Sequence, residues 1–164
     1  LNALDLADEF SIDLVIEGAT EAHLVAKQIA DASVGVVLGR LDQPQLPKDD
    51  FYRRAIRDRV AILNGAGVSL AVGSGGADSS FVAFNAQLAA ARSRDSNAME
   101  LVTTDAADVL RVSKRIGRLR PGLLADFVVW SGDPMDPASK VLSVYVGGVL
   151  VYEAPVETNE GNNK

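Results

Sequence analysis

Carboxylates next to glycine turns are the side chains here best placed for chemistry. Glu17 closes the apolar run Leu14-Val15-Ile16 and is followed by Gly18. A carboxylate at a strand end can hold a hard cation or take up a proton. It can equally be a solvated strand-end acid, the usual state of glutamate. Asp78 follows the turn Gly73-Ser74-Gly75-Gly76. It reads either as a catalytic carboxylate or as a residue that holds the turn and caps the next helix. The glycine turn lies between a strand and a helix, where backbone amides can cradle an anion. It lacks both the dinucleotide-binding spacing and the lysine of a phosphate loop.

Other reactive types are sparse. His23 is the only histidine, and there is no cysteine. It falls one turn into a helix, about 100° from the face of Ala22 and Ile29, a flank position. A lone imidazole without thiolates is not the ligand pattern of a zinc site. Ser74, Ser79 and Ser80 have no histidine base in a nucleophile motif, which argues against a serine hydrolase. Arg53, Arg54, Arg57 and Arg59 surround one helix and read as its solvated outer face or a subunit contact. The net charge of −6 and the few aromatic residues exclude general affinity for nucleic acid.

The elements that must position these residues follow from periodicity. Residues 3–10 read as a helix leading into a strand at 13–16. Gly18 and Thr20 mark a turn and an N-cap, and Ala22, Val25, Ala26 and Ile29 form one helical face. Val34–Leu38 is a second strand. The loop 41–50, with two prolines, crosses the surface. Asp49 or Asp50 caps a helix with Tyr52, Ile56, Val60 and Leu63 on its stripe, stopped by Gly65 and Gly67. Val68–Val72 is a third strand, followed by a helix over 79–92 and short helices near 96–102 and 104–111. This alternation predicts consecutive βα units on a parallel sheet. After Arg115 the pattern changes to antiparallel strands at 126–131, 141–146 and 149–152, the last two joined by Gly147-Gly148. Residues 157–164 are polar and expected to be disordered.

A length of 164 residues with 48% hydrophobic and 23% charged content is that of a globular domain. No apolar run approaches the roughly 18 residues of a membrane span, and the acidic start lacks a signal peptide's basic region. Together with the absence of cysteine, this predicts a cytoplasmic protein without membrane partners. The missing initiator methionine raises the expectation of a processed chain or a piece of a longer one.

Several motifs from Thr103 onward resemble the closing segment of the amidohydrolase superfamily, such as imidazolonepropionases and dihydroorotases. Thr103, Ala106, Ala107 and Leu110 resemble its helical element. Arg115-Ile116-Gly117, Leu119, Pro121-Gly122 and Ala125-Asp126 resemble its turn into a small β-sandwich, and Gly132-Asp133-Pro134, Val144, Val146 and Gly147 resemble its closing strands. Pro121-Gly122 suits a type II turn, and Asp126 suits holding a turn's amides. The resemblance implies an α/β fold: the last three βα units of a (β/α)8-type barrel over residues 1–112, then sandwich strands over 113–155 and a tail over 156–164.

The same resemblance implies metal-dependent hydrolysis of non-peptide carbon–nitrogen bonds, with ligands at the C-terminal ends of barrel strands. It places a histidine at the end of strand six, where Glu17-Gly18 stand. It places an aspartate at the end of strand eight, where Gly73-Ser74-Gly75 stand. Both family ligands are therefore expected to be missing. Glu17 and Asp78 remain the candidate catalytic carboxylates, and zinc or a similar divalent ion is the implied cofactor only if a companion segment supplies its ligands. The alternative is a non-catalytic assembly subunit that kept the scaffold. Three βα units cannot close an eight-stranded barrel of about 250 residues. They leave open sheet edges that need cover, so another polypeptide, an N-terminal segment or further copies of this chain, is the expected partner.

Overall fold

The computed structural model describes residues 2–39, 41, 50–76, 78–93 and 97–155, with side chains outside the description at 50–57. The proline loop, Asp49, the stripe side chains of Tyr52 and Ile56 and the polar tail lie outside these described residues. The chain divides into two compact units, Leu1–Arg118 and Leu119–Lys164.

The first unit is organised by three short strands, β1 (Val15–Glu17), β2 (Gly35–Leu38) and β3 (Leu70–Val72). They are parallel and lie in sequence order. Before, between and after them come α1 (Asn2–Glu9), a 3-10 turn (Ala22–Val25) running into α2 (Ala26–Asp31), α3 (Asp50–Gly65), α4 (Phe81–Arg92), α5 (Ala98–Val102) and α6 (Thr104–Val109). Strand side chains alternate between faces. Val36 and Leu38 of β2 and Leu70 and Val72 of β3 are buried in one core with Ala26, Ile29, Val60, Leu63, Ala86 and Ala89, and Leu14 and Ile16 pack against it. Each large aliphatic side chain buried there stabilises the fold by roughly 1.5–3 kcal/mol. The predicted βα alternation is thus present.

Two local expectations are corrected. Thr20 is not the cap of the helix after β1. Gly18 and Ala19 reverse the chain at φ +82° and +40°, Ala19 N–H donates to Glu17 O at 3.0 Å, and Glu21 takes the cap position without a side-chain capping hydrogen bond. The reversal at Gly18 and Ala19 sets the helical turn to begin one residue later, at Ala22. Arg59 does not lie on a solvated face: it is 4% exposed. Burial, and then the positive charge of Arg92, lower its pKa.

Helices α5 and α6 are held by small-scale chemistry. Asn97 accepts from Met99 N–H at 2.9 Å and so caps α5, and the Thr103 hydroxyl donates to Met99 O at 2.7 Å. Gly35 leaves room for α6 against β2, since a Cβ there would lie 2.9 Å from Val109 Cγ1. Gly117 turns at φ +99°, and a Cβ would lie 2.5 Å from Ala107 Cβ and 3.1 Å from Thr103 O. Arg111 pairs with Asp13, and Arg118 with Asp108 at 3.3 Å. Between the start of β3 and these helices is an open cavity of about 210 Å³, lined by Asn64, Ser69, Leu70, Leu101, Asp105 and Asp108 among others.

In the second unit β4 (Phe127–Trp130), β5 (Val141–Val146) and β6 (Val149–Glu153) form an antiparallel sheet in that order. Gly147 and Gly148 have φ +57° and +78°, the two positive values of a type I′ hairpin turn. Gly147 N–H donates to Asp126 Oδ1 at 2.6 Å, and Gly148 N–H to Ala125 O at 2.9 Å. Asp126 therefore holds a turn amide, as its size and polarity suggest. Leu123 N–H reaches Arg120 O at 3.1 Å across Pro121-Gly122, with Gly122 at φ +88°, matching the expected type II turn. Phe127 and Tyr145 face each other across β4 and β5, their rings stacked at 4.4 Å. Val146, Val149 and Val151 remain 55–65% exposed. Among the described residues, no helix is long and apolar enough to cross a membrane.

Replacing Gly117 with Ala is expected to cost about 2–4 kcal/mol, from backbone strain plus overpacking. A Cβ on Gly65, at the end of α3, meets nothing within 4 Å, so Gly65→Ala is expected to be neutral or stabilising by up to about 1 kcal/mol. Urea midpoints at constant slope measure both. A pH series tests the cavity wall. Burial, reinforced by the charge of Glu100, raises the pKa of Asp105. Its folded value thus lies above the unfolded value of about 3.9, and ionisation opposes folding. Asp105→Asn is expected to raise Tm at pH 7, and the gain should vanish below about pH 4, where wild type is protonated as well.

Candidate functional site: the C-terminal rim of the parallel sheet

Register decides what the strand ends present. Glu17 is aligned with Val37, and Val37 with Ala71. Because Ile16, Leu38 and Val72 face the helical core, alternation sends Glu17, Val37 and Ala71 to the opposite sheet face. Glu17 is exposed there, at the last position of β1. It forms an acidic end to an otherwise apolar row.

Just beyond that row the chain is backbone. Gly18 N–H donates to Val37 O at 3.0 Å, and Gly73 N–H to Leu38 O at 2.9 Å, extending the ladder past each strand. A Cβ on Gly39 would lie 3.3 Å from Gly75 Cα and 3.8 Å from Gly18 Cα, and one on Gly73 would lie 3.2 Å from Val37 Cγ1. The three strand ends therefore approach one another closely through glycines. Gly75 and Gly76 have φ +61° and +79°, values that a side chain rarely adopts.

Asp78 is exposed on the approach to α4. Its Oδ1 accepts the Ser80 N–H at 2.8 Å, and its carbonyl accepts the Phe81 N–H at 3.1 Å. Hydrogen bonding from the Ser80 backbone, then from the Ser80 side chain, holds its carboxyl below the ordinary aspartate pKa. This is an Asx-type turn leading into the helix. Among the described residues, no hydrogen bond or ion pair joins Asp78 to Glu17. His23 is half-buried in the turn that packs on α3, with Nδ1 shut from solvent and lacking a hydrogen-bond partner. No three His, Cys, Asp or Glu side chains among the described residues gather as metal ligands.

One anchoring residue escapes sequence reasoning. Asn85 is fully buried in α4, and its Oδ1 accepts the Leu41 N–H at 3.2 Å. It thereby ties down the chain just past β2. The available signal is an amide inside the apolar run Phe81-Val82-Ala83-Phe84-Asn85-Ala86, where a buried polar group usually makes at least one hydrogen bond; here Oδ1 is bonded, and Nδ2 is buried without a partner among the described residues. Among the described residues, the rim presents one strand-end carboxylate and a set of backbone groups, and it does not bring together a full set of reacting side chains.

Residues 71–152, half of the chain, match the sequence model of the amidohydrolase family. A stretch of 59 residues is 36% identical to amidohydrolase tasK of Hapsidospora irregularis, covering 36% of this chain and 6% of that protein. An amidohydrolase from Thermotoga maritima MSB8 superposes at a TM-score of 0.77 with 31% identity, over 93% of this chain and 40% of its own. A prolidase complexed with N-methylphosphonate-L-proline gives 0.69 at 22% identity, over 93% and 43%. An adenosine deaminase from Xanthomonas campestris with bound zinc gives 0.58 at 20% identity, over 90% and 39%. The last two share a fold with this chain, which spans less than half the length of each of these proteins. Motifs, family match and the Thermotoga structure agree: the chain belongs to the amidohydrolase family.

Proposed function

We propose that residues 1–112 form the last three βα units of a (β/α)8-type barrel and residues 113–155 the closing strands of a small β-sandwich. The assembled scaffold hydrolyses a non-peptide carbon–nitrogen bond with a divalent metal whose ligands come from another polypeptide segment. Family membership supports hydrolysis. The observation that carries the division of labour is the glycine rim, where Gly18, Gly39 and Gly75 meet through backbone.

A metal in such a site would polarise the scissile group and activate water. Among the described residues, the side chains of this rim do not fit it: glycines occupy the strand ends, and Asp78 Oδ1 is engaged by the Ser80 N–H. No catalytic step is therefore assigned to a metal held by this chain. Its own contribution is Glu17, on the sheet face opposite the helical core, as a positioned proton acceptor or an additional oxygen donor. Asp78 contributes by shaping the turn. A non-catalytic assembly subunit is the second reading, favoured by the same glycines.

Among the described residues, β1 and β3 are unpaired on their outer edges, and this together with the apolar exposure of β5 and β6 supports a completing partner. Light scattering during size exclusion is expected to find the isolated chain associated, and a well-folded monomer of 17.3 kDa would defeat this proposal. In the completed assembly, elemental analysis is expected to find stoichiometric divalent metal. There, Glu17→Gln should lower turnover by about 100-fold or more with unchanged Tm, whereas Asp78→Asn, which keeps the accepting oxygen, should alter neither. A metal-free, inactive assembly would instead establish the scaffold reading.

A further inference from the structure

We draw no further inference here: the strongest candidate, the open cavity between the start of β3 and helices α5 and α6, rests on the carboxylates Asp105 and Asp108, and nothing in the structure shows what they would hold.

Discussion

Burial of alternate strand residues beneath the helices is the constraint on which this architecture depends. With Val36, Leu38, Leu70 and Val72 committed to the core, a one-residue slip of either strand would turn its apolar set outward. Register is therefore fixed, and with it the level at which the three strands end. Glu17, Val37 and Ala71 share a row as a direct result. The rim is thus set by packing on the far side of the sheet. The close passage of Gly39 by Gly75 and Gly18 follows from the same register.

That passage has chemical meaning. Side chains at strand ends are how a parallel α/β scaffold usually delivers reactive groups. Here closely spaced backbone takes up much of that space, and the ladder continues through Gly18 and Gly73 amides. A scaffold can retain its apolar core while its rim changes, because the two are built on opposite faces of the same strands. The agreement of fold with the Thermotoga amidohydrolase at 31% identity sits comfortably beside a rim composed of glycine.

What the sequence reveals depends on how local the determining physics is. Gly147-Gly148 is legible as a hairpin turn because its two positive φ values are a property of two residues. Pro121-Gly122 and Asp126 are legible for the same reason. The βα alternation is readable from apolar periodicity, although the strands prove shorter than their apolar runs: β3 begins at Leu70 while the run starts at Val68. Arg59 is misread because four arginines around a helix do not reveal which flank another helix will cover. Thr20 is misread because cap propensity loses to the reversal at Gly18 and Ala19. The Gly39–Gly75 approach is invisible, since it joins residues 36 positions apart. Glu17 and Asp78 were both visible as carboxylates. The sequence offers a solvated strand-end acid and a turn residue as alternatives to catalytic roles, and the structure adds the exposure of Glu17 and the bond from Ser80 N–H to Asp78.

The hairpin of β5 and β6 also bears on the order of events during folding. Its contacts join residues a few positions apart, and such hairpins close in roughly 1–10 μs. The parallel pairs must first join Val15 to Gly35 and Val36 to Leu70, closing far longer loops at greater entropic cost. Local closure thus favours early formation of this hairpin within its own unit, while the parallel sheet of the other unit is still searching for its alignment.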